Sequence, residues 1–128
     1  MISMFDEVTN KSETGRKSAV RALQAWLYLI GKAANRQTVK FDELRLLMGY
    51  PTDNPLASIL RCIMSFCIQN NLPPLTVIVV NRYGVPGEGF TAEKMEDYHQ
   101  RREDVFNYPW FKIFPPTIDE FQKARESA

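Results

Sequence analysis

Residues 38–89 read TVKFDELRLLMGYPTDNPLASILRCIMSFCIQNNLPPLTVIVVNRYGVPGEG, and this stretch decides the fold. Thr38, Val39, Lys40 and Phe41 mix β-branched and aromatic residues, the composition of a small strand. Asp42 can cap the helix that follows, which carries Leu44, Leu47 and Met48. Gly49 suits a left-handed helix stop, and Pro51 cannot continue the helix beyond it. Asp53 or Asn54 can cap a further helix, with Pro55 in its first turn. Leu56, Ile59, Leu60, Ile63, Met64, Phe66 and Cys67 give that helix an apolar stripe wide enough to require burial. Its remaining face is Ser58, Arg61, Ser65 and Gln69. Residues 75–80 are almost continuously apolar, which predicts a central strand covered on both sides. Gly84, Pro86, Gly87 and Gly89 then mark an exposed turn or wing. Two helices joined at a glycine, followed by a strand and a wing-like loop, predict a helix-turn-helix of winged type.

The flanks extend this frame. Ser12 or Thr14 can cap a first helix, in which Val20, Leu23, Leu27, Ile30 and Ala34 recur at helical spacing. Arg16, Lys17, Arg21, Gln24 and Lys32 take the opposite face. Beyond the wing, Thr91 can cap a charged helix that buries Met95, Tyr98, Val105 and Phe106. Residues 108–114 read as a third strand, broken by Pro115 and Pro116. Thr117 with Glu120 forms a capping box for a terminal helix carrying Ile118 and Phe121. The expectation is an α+β, winged-helix-like domain of four to five helices with a small three-stranded sheet. Residues 1–11 read as a flexible arm and 12–128 as one domain.

The composition is that of a soluble protein with a core of its own: 128 residues, 45% hydrophobic and 24% charged. Sixteen Lys and Arg face fifteen Asp and Glu, which excludes a strongly basic histone-like or polybasic membrane protein. The charge is uneven, however. Residues 1–63 hold nine cations and six acids (+3), whereas residues 64–128 hold seven and nine (−2). No secretory signal and no span-length apolar run is visible, so a cytoplasmic protein without membrane attachment is expected. Cys62 and Cys67, five apart in a helical pattern, cannot bridge each other and read as small core residues of a reducing compartment.

The segment Thr38-Val39-Lys40-Phe41-Asp42-Glu43-Leu44, then Leu47-Met48-Gly49-Tyr50-Pro51, resembles the opening of the winged helix-turn-helix of alkylguanine-DNA alkyltransferases and alkyltransferase-like proteins. Residues 72–78 and Arg82-Tyr83-Gly84 are similar to that family's proline-containing active-site strand and the turn after it. The resemblance implies a shared scaffold with duplex binding. It does not carry over alkyl transfer. The reactive cysteine would fall near Leu75, the histidine and arginine at Thr76 and Val77, and the base-displacing arginine near Pro55 or Leu56. Phe41 stands where the family has tyrosine. With nucleophile and base missing, no transfer is expected.

The functional reading that follows is non-catalytic nucleic-acid binding. Arg16, Lys17 and Arg21 would hold phosphates, Asn54, Ser58 and Arg61 would face the groove, and Arg82 would serve the wing. The alternative is a protein-interaction module of the immunity, antitoxin or anti-defence type, docking through Tyr108, Trp110 and Phe111. Six of the fifteen aromatics fall within residues 106–121, a density that suits either a core or an interface anchor. No cofactor or metal is expected. Glu96, His99 and Glu103 share a helical face but form only half of a bridged metal motif. The loop around Gly84 has a proline and Glu88 where a phosphate cradle needs donors and a lysine. The acid pairs are sequence neighbours that diverge on a helix, so no catalytic dyad is expected.

Overall fold

The computed structural model describes residues 14–86 and 95–127. The elements run α1 (Thr14–Ala34), β1 (Val39–Lys40), α2 (Phe41–Leu47), α3 (Asp53–Gln69), a 3-10 turn (Leu75–Ile78), β2 (Val79–Val80), α4 (Met95–Asn107), a second 3-10 turn (Trp110–Lys112) and α5 (Ile118–Ser127). Among the described residues this is a mostly helical α+β domain with five helices. The expected flexible arm at 1–11, the helix cap at Thr91 and the wing tip at Gly87 and Gly89 lie outside the described residues.

α1, α3 and α5 enclose the main core. On α1 the buried face is Ala19, Ala22, Ala25, Trp26, Leu29, Ile30 and Ala33. This corrects the expected stripe, because Leu27 and Ala34 are exposed and Val20 and Leu23 are only half-buried. The alanines explain the rotation: small side chains let the neighbouring helices approach, so the face is defined by close packing instead of by large residues. Trp26 fills the space the alanines leave. Its ring meets Phe66, Trp110 and Phe121 at centroid separations of 5.6, 5.4 and 5.8 Å, all edge-to-face.

Helix ends follow the expected chemistry in most places. Gly49, at φ +78°, closes α2, with Tyr50 N–H donating to the Arg45 carbonyl at 3.0 Å. Asn71, at φ 55°, follows α3, with Leu72 N–H donating to the Cys67 carbonyl at 2.8 Å. Thr117 and Glu120 form the expected capping box: the Thr117 N–H donates to Glu120 Oε1 and the Glu120 N–H to Thr117 Oγ1, both at 3.0 Å. Two starts differ. α2 begins at Phe41 and α3 at Asp53, and neither Lys40 nor Thr52 at the caps makes a side-chain bond to the helix.

The sheet departs from expectation. Among the described residues it has two strands, not three, and they are parallel, with Val39 opposite Val79 and Lys40 opposite Val80. Residues 75–80 are all buried, as their apolar run requires. Only Val79–Val80 is strand, however, because the chain leaves Pro73 and Pro74 in a tight turn closed by Val77 N–H on the Pro74 carbonyl at 2.9 Å. Residues 108–114 form no strand. Trp110 instead folds back on α4 and donates its Nε1–H to the Val105 carbonyl at 2.8 Å, while Pro109 and Pro115 lack the N–H a ladder needs.

Both cysteines are free and buried, as expected. Burial pushes the Cys62 thiol up to about 11, partly offset by the Arg125 charge. It pushes Cys67 up to about 12 against a backbone hydrogen bond from Leu75. Both thiols therefore hold their protons more tightly folded than at the ordinary value of 9.0. The stability this contributes is complete below about pH 9 and is lost as pH rises toward 11 to 12. Native protein at pH 8 should leave a thiol-specific chromogenic disulfide unreacted, and denatured protein should consume two equivalents. Fast labelling of either cysteine in the native state would overturn this placement.

Candidate functional site

On α3, Asn54, Ser58, Arg61, Ser65 and Ile68 fall within one narrow sector at 100° per residue. This sector points away from the core. Asn54, Arg61 and Ile68 are exposed, and Ser58 and Ser65 are half-buried. The C-terminal helix does not cover it. α5 packs instead on the flank, where Cys62 Sγ–H donates to the Phe121 carbonyl at 3.3 Å and Gln69 Nε2 to the Ala124 carbonyl at 3.2 Å.

The open stripe runs at its N-terminal end into a cleft of about 530 Å³, lined by Lys40, Phe41, Asp42, Asp53, Asn54, Ala57, Asn81, Arg82 and Tyr83. Parallel pairing builds this cleft. Because β1 and β2 run the same way, the residues leaving their C-terminal ends must emerge on one side. Lys40 to Asp42 and Asn81 to Tyr83 are those residues. The turn after β2 is held by Asn81, whose Oδ1 accepts from Tyr83 N–H at 2.8 Å and Val85 N–H at 3.4 Å. Gly84, at φ +79°, lets the chain reverse, and Val80 bridges Pro86 across the turn. Tyr98 Oη–H braces it from α4 with a bond to the Gly84 carbonyl at 3.1 Å.

The electrostatics of the cleft are asymmetric. Its two acids, Asp42 and Asp53, both face Arg45, with Nε at 3.7 and 3.4 Å. Arg45 Nη1 also donates to the Tyr50 carbonyl at 2.8 Å, which fixes the guanidinium between them. Its single charge offsets one of the two carboxylates, so that Arg45, Asp42 and Asp53 together carry −1 and Lys40 and Arg82 bring the group to +1. Lys40 and Arg82 form no ion pair among the described residues, and the Arg82 guanidinium lies 5.0 Å over the Tyr83 ring. Tyr83 is 74% exposed. The result is a concave surface with two available cations, two amides and an open aromatic ring.

Of the residues singled out from sequence, Asn54 and Arg82 meet in this cleft, and Ser58 and Arg61 continue from it along α3. Arg16, Lys17 and Arg21 do not line it. Arg16 Nη1 pairs with Asp119 Oδ1 at 3.1 Å, at the start of α5. Arg21 is structural: Nε donates to Tyr50 Oη and Nη1 to Gln24 Oε1, each at 2.9 Å, Nη2 bonds the Met48 carbonyl, and the guanidinium lies over the Tyr50 ring. It ties α1 to the α2–α3 connection. Lys17 is exposed on α1. Lys40 and Tyr83 are the members of the site that sequence reasoning missed. The signal for Lys40 was present, as the last residue of a strand whose partner ends beside the wing.

Among the aromatic candidates, Trp110 is 2% exposed and Tyr108 is half-buried against it at 4.6 Å. Neither is available as drawn from sequence; of the three, Phe111, at 68%, is. Phe114 is 95% exposed. Leu75, Thr76 and Val77, where the alkyltransferase-like reading would put reactive groups, are sealed in the 3-10 turn. No three His, Cys, Asp or Glu side chains cluster to hold a metal among the described residues, and the Glu103 carboxylate is engaged by Arg36 at 2.6 Å. No described helix is long and apolar enough to cross a membrane. No protein-family model, curated protein or solved structure matches the chain.

Proposed function

We propose that this protein binds nucleic acid without transforming it, through α3 and the turn after β2 used in the manner of a winged helix-turn-helix. One observation supports the reading: an uncovered polar stripe on α3 opens into a cleft where Arg45 holds both carboxylates and Lys40 and Arg82 form no ion pair among the described residues, so that the five groups together carry +1. Asn54 and Arg61 are the residue types that pair with base-edge acceptors, and Ser58 adds a small donor between them. Lys40 and Arg82 suit phosphate oxygens. Tyr83 offers a ring to a sugar or an unpaired base. Arg16 and Lys17 lie apart from this surface, and Arg21 is engaged with Tyr50 and Met48.

Fluorescence anisotropy with duplexes of unrelated sequence, across a salt series, tests the proposal. Two to three phosphate contacts predict an affinity that falls with salt at a logarithmic slope of about −2 to −3. Absence of binding, or binding indifferent to salt, removes the reading. A protein-docking role is the second reading, and the exposure of Phe111 and Phe114 favours it. It predicts no salt-dependent duplex binding at all.

A further inference from the structure

Tyr83 lines the cleft with a ring that is 74% exposed. The turn that carries it is fixed. The Tyr83 N–H donates to Asn81 Oδ1 at 2.8 Å, and Tyr98 Oη–H holds the Gly84 carbonyl at 3.1 Å. A ring on a braced turn loses little freedom when a ligand settles on it. The Arg82 guanidinium lies 5.0 Å from the ring centroid, so the two side chains form a cationic aromatic platform.

A regular duplex has nothing to set on this platform. Its base faces are covered by stacked neighbours, and only base edges are open in the grooves. The polar residues of α3 suit those edges, whereas an aromatic ring needs a base face. A face becomes available where pairing stops. The cleft has room for it: about 530 Å³ lies within the roughly 300–1,000 Å³ of pockets that take a small organic ligand. Phe41 and Ala57 give the cleft a half-buried apolar lining, and the Asn54 and Asn81 carboxamides line the same space. Asn81 Oδ1 is occupied by the turn, so this amide offers its Nδ2 donors. Neither those donors nor the Asn54 carboxamide bonds another described residue. Donors of this kind match the acceptors on the edge of an unpaired base.

We infer that the protein favours a duplex with a single-stranded extension, and that the first unpaired base stacks on Tyr83 in the cleft. The inference rests on the nucleic-acid reading above and names the form of nucleic acid that the site takes. α3 follows the groove of the paired part, and Lys40 and Arg82 hold the backbone where it leaves the duplex.

The test uses the full chain and three fluorescent DNA probes: a blunt duplex, the same duplex with a short adenine extension, and that duplex with an abasic extension of equal length. The abasic probe carries the same phosphates without bases, so the ratio of adenine to abasic affinity isolates the base. That ratio should be at least about fivefold, the lower end of what one stacked base contributes. Tyr83→Ala should bring it to about one, and Tyr83→Trp, which restores a ring, should keep it. A general loss of folding would lower both affinities together and leave the ratio alone. A ratio near one in the unaltered protein, with salt-dependent binding of the blunt duplex intact, overturns the inference and leaves duplex binding standing. A ratio that survives Tyr83→Ala overturns it as well. Failure of all three probes to bind removes both the inference and the reading beneath it.

Discussion

Trp26→Ala destabilises the domain by about 4 kcal/mol and lowers its urea midpoint by about 2 M. The substitution removes a fully buried indole at the point where α1, α3, α5 and the turn at Trp110 converge. The cavity cannot close easily. Its walls are Phe66, Trp110 and Phe121, rings whose edge-to-face arrangement depends on the missing partner. On α1, Ala22 and Ala25 are too short to fill it, and Leu29 and Ile30 are already packed in the core. A domain of this size has roughly 5 to 15 kcal/mol in total, so the variant sits near the edge of folding at 37 °C. Phe111→Ala, at an exposed ring, is the control and changes stability by less than about 0.5 kcal/mol. Equilibrium urea unfolding followed by circular dichroism reads both. A loss below about 1 kcal/mol for Trp26→Ala would mean that the three-helix core is not organised around this ring.

The same core shows what periodicity could and could not reveal. Element existence was legible wherever local chemistry acts over a few residues: the glycine stop at Gly49 and the capping box at Thr117 and Glu120. Burial of residues 75–80 was legible too, but their geometry was not. A run of apolar β-branched residues states that a segment is covered; it does not state that two prolines just upstream force a 3-10 turn first. On α1 the expected stripe runs through Leu23 and Leu27, whereas the helix buries Trp26, Leu29 and Ile30 together with Ala19, Ala22, Ala25 and Ala33. That stripe put Leu27 inside when it is outside. Residues 108–114 read as a strand, yet Trp110 satisfies its indole N–H on α4, a partner no local rule names. The site suffered from the same gap. Cations on α1 looked like a phosphate strip because sequence shows their spacing and hides their partners, Asp119 for Arg16 and Tyr50 for Arg21. Lys40 looked like one strand residue among several until parallel pairing set it beside Arg82.

The triple reversal Lys40→Glu, Arg61→Glu, Arg82→Glu should weaken duplex binding on the order of 10²-fold at 0.1 M salt and bring the salt slope close to zero. The three side chains are exposed and form no ion pair among the described residues, and the contact of the Arg82 guanidinium with the Tyr83 ring lies at the surface, so the loss reports on binding. The members of the set do different things. Lys40→Glu and Arg82→Glu remove phosphate contacts, so they weaken all sequences alike and each takes about one unit from the slope. Arg61→Gln keeps a hydrogen-bonding side chain but loses the bidentate fork, so its effect falls on discrimination between sequences more than on the slope. Arg16→Glu with Lys17→Glu changes the charge of α1 by four without touching the cleft. At that salt the Debye length is about 10 Å, and a reversal beyond it costs little, threefold at most. The comparison is therefore a test of place as well as of charge, since the two variants differ by only two charges in what they do to the whole molecule. Equal losses in both would mean that any anionic polymer is held by diffuse attraction. A larger loss from the α1 pair would move the interface to α1 and leave the cleft without this role.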